Sequence, residues 1–261
     1  MPAATATREK TFLLARPEAR ALDWIARRLP QRVLPDHLTL LGVLAALGIA
    51  AAYVLSNGDS AWLWAASGLL VVHWLGDSLD GTLARVRRIE RPTYGYYLDH
   101  LVDAVATAVI GIGLGLSPYL LLATGMVLVI AYLVLSINTY LETQALGVFR
   151  LGYGRLGPTE ARLGLIALNT ALALGVPVGF ELAGVGVSAL DLVVLGAAAA
   201  MAAALAVRAA GTLRVLAARE PAGRPRAASR AGGGRRGSRT PRGSGRPRSP
   251  ARAASRGTTR R

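Results

Sequence analysis

Six apolar runs, each long enough to cross a bilayer, fill the body of this chain: roughly 38–56, 61–84, 96–116, 118–141, 161–181 and 186–209. A helix needs about 20 residues to traverse the hydrocarbon core, so the runs predict an all-α, integral membrane bundle of six transmembrane helices. The connections between them alternate in character. Ser56-Asn57-Gly58-Asp59-Ser60, Leu116-Ser117-Pro118 and Glu181 to Ser188 carry no Lys or Arg. The N-terminal segment, Arg85–Arg91, Arg150–Arg162 and the C-terminal tail hold nearly all the basic residues. Basic loops stay on the cytoplasmic side, and six spans with both termini in the cytoplasm satisfy that alternation throughout. A soluble helical bundle would have no need of it.

Charge is segregated along the chain. The net charge is +15, yet Arg219 to Arg261 contains fourteen arginines, no lysine and one acid, Glu220. That stretch supplies +13 and leaves a nearly neutral, apolar body. Rich in Arg, Gly, Ser and Pro, the tail at 219–261 lacks the apolar surface to offset chain entropy and is expected to be disordered. Beside a membrane, such a tail suits anionic lipid or topological anchoring better than specific nucleic acid, which is not expected as a partner. Arg16 to Leu34 interleaves Leu22, Trp24, Ile25 and Leu29 with Arg20, Arg27, Arg28 and Arg32. This pattern predicts an amphipathic helix lying on the membrane surface within a cytoplasmic segment, 1–37. The apolar stretch Thr11 to Ala15 is too short for the core of a signal peptide, and Arg16 interrupts it. Without cysteine, the chain has no thiolate metal site and no thiol nucleophile.

The acids inside the apolar body carry the chemistry. Charged residues within spans are costly and mark function by default. Asp77 and Asp80 are three residues apart, and Asp99 and Asp103 four. Either spacing puts a pair on one helix face. The first pair ends one span and the second begins the next, so a short loop brings four carboxylates to one depth near the cytoplasmic surface. Four anions so close repel, and a divalent cation resolves the conflict, with hard oxygen ligands suiting Mg²⁺ or Mn²⁺. Gly81 and Ala84 would let a nucleotide or a helix approach closely, Arg85 can fork onto phosphate oxygens, and Gly95 stands where a side chain would crowd the site. From the residues alone, solvated helix caps and an ion pathway in a transporter remain open alternatives, as does a membrane scaffold with a recruiting tail.

Asp77-x-x-Asp80-Gly81-x-x-Ala84-Arg85, nine residues, then Gly95-x-x-x-Asp99-x-x-x-Asp103 resembles the signature of the CDP-alcohol phosphotransferase family at every fixed position. Pro35-Asp36-His37-Leu38-Thr39 is similar to the family's approach to its first span. The resemblance extends through the six-helix plan to about residue 210 and makes 38–210 the catalytic domain. It implies that Asp77, Asp80 and Asp99 coordinate metal, with Asp103 a further ligand or the general base. It also implies that Asp36, Thr39, Gly81, Ala84 and Arg85 contact the CDP moiety and its diphosphate. The reaction implied is transfer of a substituted phosphate from a CDP-alcohol to an acceptor hydroxyl, releasing CMP, in phospholipid biosynthesis. A homodimer follows from the same resemblance, while the basic loops put the site on the cytoplasmic face of the cell (inner) membrane. The donor would be CDP-diacylglycerol or a CDP-linked small alcohol. Gly157-Pro158-Thr159-Glu160 resembles a stretch of choline and ethanolamine phosphotransferases. Around it, Arg150, Arg155 and Arg162 are candidates for an anionic acceptor, while Thr159 is equally placed to cap a helix.

Other candidates carry less. His37, His73 and His100 lack a metal-ligand spacing and read as packed or interfacial imidazoles. Ser78 has no spaced His partner for a hydrolase triad, and no Gly-rich Lys loop of the Walker type occurs. Gly111, Gly113 and Gly115, with Ala197 to Ala200, read as close helix contacts.

Overall fold

The computed structural model describes residues 15–147, 158–182 and 185–221. Arg150, Arg155, Gly157 and the tail from 222 onward lie outside the described residues. Among the described residues seven helices form: α1 Ala15–Ala26, α2 Pro35–Leu55, α3 Trp62–Arg87, α4 Pro92–Gly115, α5 Leu122–Leu146, α6 Pro158–Ala173 and α7 Ala189–Arg219. One hairpin, β1 Gly179–Leu182 with β2 Val185–Ser188, pairs Gly179 with Ser188 and Phe180 with Val187.

Among the described residues, α2, α4, α5 and α7 are long and apolar enough to cross a membrane. The second expected span falls on α3, whose length suffices but whose last turns carry Asp77, Asp80, Arg85 and Arg87. The fifth differs more. A helix was expected over 161–181, and α6 has 16 residues and stops at Ala173. At about 1.5 Å per residue, it spans roughly 24 Å, less than the ~30 Å hydrocarbon core. Its end is a Schellman turn. Gly175 adopts φ 79°, its N–H donates to the Leu172 carbonyl, and the Val176 N–H reaches back to Ala171, both at 3.0 Å. Pro177 follows, and the hairpin takes the rest of the apolar run. Ser188 then caps α7 in a reciprocal box with Asp191: Asp191 N–H to Ser188 Oγ is 3.1 Å and Ser188 N–H to Asp191 Oδ2 is 2.8 Å. The other Asp191 oxygen accepts from the Leu121 N–H at 3.0 Å, tying α7 to the start of α5.

α2 lies against both α3 and α4, α6 and α1 lie on α3, and α5 joins α4 to α7. Small residues make these seams tight. A Cβ built on Gly76 of α3 would stand 2.7 Å from the Leu38 carbonyl and from the Gly42 nitrogen of α2. One on Gly113 of α4 would stand 2.5 Å from Ala50 Cα. Backbones approach here as glycine alone allows, the expected use of small residues between membrane helices. Within the central cluster of Ile49, Tyr53, Leu63, Leu70, Leu114, Leu172 and Val194, the Tyr53 hydroxyl donates to Asn169 Oδ1 at 3.1 Å. The Asn169 amide in turn donates to Ser67 Oγ at 3.2 Å. A second cluster, Leu22, Ala26, Leu38, Leu79 and Leu83, fastens α1 beneath the acid-bearing end of α3.

The amphipathic segment folds as α1 and ends before Pro30, shorter than Arg16 to Leu34. Leu22 and Ala26 are buried, while Trp24 is 58% exposed with the Arg28 guanidinium 3.8 Å from its ring.

Candidate active site

α3 delivers its acids in its closing turns and α4 in its opening ones, because the chain reverses within four residues. Arg88 makes that reversal in the left-handed region, φ 56°. Its N–H donates to the Arg85 carbonyl at 3.1 Å and the next N–H, of Ile89, to Ala84 at 3.0 Å. Pro92 then opens α4 with the φ a first helical turn requires.

The reversal unites three of the four acids. Asp77, Asp99 and Asp103 each place a carboxylate oxygen within 4.8 Å of the others. Asp80 stands beside that triad, near Asp77 and Asp99. Its Oδ2 accepts from Thr39 Oγ1 at 2.7 Å, and its Oδ1 from the Gly81 N–H at 2.5 Å. Thr39 thus reaches the acids from α2. Asp36 is half-buried and paired with Arg91. Arg85 is exposed; its guanidinium donates to Thr82 Oγ1 at 3.0 Å and would lie 3.3 Å from a Cβ on Gly81. Half-buried Ala84 sits on the turn between them. At Gly95 a Cβ meets no protein atom within 4 Å. The space beside it is open, so any crowding would be of a ligand.

Three hard oxygen donors from two helices suit a divalent cation. Oxygens about 2.1 Å from Mg²⁺ lie roughly 3–4 Å from one another, a spacing of the same order as the triad's. Asp77 already has a cationic partner, the Arg162 guanidinium of α6 at 2.6 Å. Sequence had placed Arg162 among the acceptor candidates, and the structure puts it on the acid cluster.

The imidazoles differ in setting, His37 being exposed and His73 and His100 packed. The Leu34 N–H donates to His37 Nδ1 at 3.3 Å, and His73 is buried. His100 stacks between Tyr96, 4.2 Å away, and Tyr140, 4.7 Å away. Its Nδ1 lies 3.4 Å from Asp99 Oδ2.

Two contacts had no sequence signal. Glu18 Oε1 accepts both from Trp74 Nε1 at 2.9 Å and from Thr159 Oγ1 at 3.0 Å, so α1 links α3 to the first turn of α6. Between α5 and α7, Glu142 gathers Arg208, Thr212 and Asn138. Apart from Asn138, four residues from Glu142 on the same helix, the partners lie far apart in the chain, and nothing in local pattern marks them.

Four apolar helices of membrane-crossing length mark a membrane protein, and a carboxylate cluster lies between two helices of its bundle. The family model described as CDP-alcohol phosphatidyltransferase matches residues 32–190, more than half of the 261-residue chain, and the chain belongs to that family. The match begins beyond α1 and ends in the first turn of α7. No match to a curated protein accompanies it. Transfer of phosphate groups from CDP-alcohols at a membrane is the activity the family implies.

Proposed function

We propose that this chain is a metal-dependent membrane transferase that moves a substituted phosphate from a CDP-alcohol to an acceptor hydroxyl and releases CMP, in phospholipid biosynthesis. The carrying observation is the meeting of Asp77, Asp99 and Asp103 within 4.8 Å, with Asp80 held beside them. Asp77, Asp80, Asp99 and Asp103 would hold Mg²⁺ or Mn²⁺. Bound there, the metal would offset the diphosphate charge and make CMP a better leaving group.

The chain's own groups supply the rest. Asp103 orients the acceptor hydroxyl and takes its proton. The freed oxygen pair forms a bond to the β-phosphorus, and the bond from that phosphorus to the bridging oxygen breaks. CMP departs with the bridging oxygen and its electron pair. Thr39 keeps the Asp80 carboxylate in one orientation. Arg85, Gly81, Ala84 and Asp36 form the donor side, where Arg85 meets phosphate oxygens in place of Thr82 and Asp36 exchanges its exposed pairing with Arg91. Arg162 neutralises Asp77 and faces the acceptor. Positioning and charge stabilisation supply most of the rate.

The same reading has six spans, counting α3 and the short α6 together with the chain that follows it, both termini and the site cytoplasmic, in the cell (inner) membrane, and a homodimer as the assembly. Purified protein in detergent, supplied with Mg²⁺ or Mn²⁺, tests it through CMP release. CDP-diacylglycerol and CDP-linked small alcohols are offered against a panel of acceptor alcohols. Release that requires one donor class and one acceptor is expected. Absence of release with every pair contradicts the reading.

A further inference from the structure

In sequence, Arg87 is one more basic residue in a cytoplasmic loop, or a cation favouring a helix C-terminus. The structure gives it different work. Its guanidinium donates to four carbonyls of the loop between α1 and α2: Leu29 at 3.0 Å, Pro30 at 2.8 Å, Gln31 at 3.3 Å and Val33 at 2.5 Å. These acceptors lie 54 to 58 residues away in the chain, so the contact is no cap of its own helix.

We propose that Arg87 is a positioning residue for the donor half of the site, fixing the loop at 27–34 and with it the first turn of α2 against the acid-bearing turns of α3. The loop leads directly into Pro35, Asp36 and Thr39. Arg87 shares α3 with Asp77, Asp80 and Arg85, so one rigid helix carries both the acids and the hand that holds the loop. Where Thr39 must meet Asp80 at 2.7 Å, a loop free to shift would loosen that contact. Arg91 adds a second tie through Asp36, but that pair is about half exposed, and exposed pairs contribute little. The grip depends on shape as well as charge. A guanidinium offers five N–H donors in a fixed planar fork, while an ammonium has three and no plane. Lysine at 87 would keep the charge and lose most of the carbonyls.

This inference rests on the donor-binding reading above, and the test separates the two. Full-length wild type, Arg87→Lys and Arg87→Gln are purified in detergent and first compared by gel filtration. Three quantities are read: deuterium exchange over 27–34, CMP affinity by calorimetry with Mn²⁺, and donor and acceptor KM separately. Both variants are expected to exchange faster over 27–34. CMP Kd and donor KM should rise about tenfold, with acceptor KM little changed, since small misplacements of binding groups carry penalties of this order. Arg87→Lys should fall nearer to Arg87→Gln than to wild type. Should Arg87→Gln fail to fold, Arg87→Lys carries the test. Unchanged CMP affinity, full rescue by lysine, or donor and acceptor KM rising together would overturn the assignment, the last pointing to general destabilisation. Wild type that binds no CMP would overturn the donor reading itself, and this inference with it.

Discussion

The two helices that bring the acids together are built to different standards. α3 is held by α1, α2 and α6, and both its acids have partners: Asp77 meets Arg162, and Asp80 meets Thr39 and the Gly81 N–H. α4 rests on α2 and α5, and its opening turns are uncovered, with Tyr94, Tyr96 and Tyr97 exposed. The Asp99 side chain is 42% exposed where that of Asp77 is 21%. One wall of the site is therefore fixed before any ligand arrives, and the other is open to it. A preorganised wall sets geometry without reorganisation during the reaction, while an open one admits substrate.

Removing charge from either wall should have the largest effect and level the difference. Asp80→Asn and Asp99→Asn should each lower CMP release by about 10²–10³-fold, with membrane insertion and elution on gel filtration unchanged. Near-normal turnover in both would remove the acids from the mechanism. The glycines then separate the walls. Gly76→Ala, on the tight α2–α3 seam, should destabilise by about 1–3 kcal/mol, as overpacking does, and lower the melting temperature in detergent. Gly95→Ala, on the open wall, should leave melting unchanged or slightly raised while reducing activity. A fall in melting for Gly95→Ala would contradict the open space beside it. Thr39→Val tests the fixed wall alone. Loss of one hydrogen bond to a carboxylate is worth about 1.5–3 kcal/mol, so activity should drop roughly tenfold or more, and Thr39→Ser should restore most of it. The smallest effect belongs to the hinge between the walls. Arg88→Gly should stabilise by about 1 kcal/mol, since a left-handed residue with a side chain costs roughly that much, visible as a small rise in melting temperature.

The fixed positions of the acids were legible because helix spacing converts directly into a shared face: three and four residues apart put Asp77 with Asp80 and Asp99 with Asp103. Antiparallel neighbours bring Asp77, Asp99 and Asp103 together across the loop, while Asp80 turns to Thr39. What stayed hidden was long-range. Glu18 on Trp74 and Thr159, Arg87 on the carbonyls at 29–33 and Glu142 on Arg208 depend on tertiary placement that no local pattern encodes. Arg87 was visible only as charge, because the positive-inside rule counts cations without asking what they hold. The overlong fifth span had a local signal that hydropathy drowned. Gly175-Val176-Pro177 is a helix stop, yet the apolar side chains on both sides made the run look continuous to 181. Ser188 caps the last helix with Asp191 as its box partner, and the Ser-x-x-Asp spacing carried that information.

The most direct test of the central claim is CMP release by metal-stripped wild type as Mg²⁺ or Mn²⁺ is titrated back, with Asp99→Asn measured in parallel. The account predicts no release in chelator, saturable recovery with metal in the wild type, and no recovery in the variant. Release that persists undiminished in chelator, or recovers equally in Asp99→Asn, would contradict it.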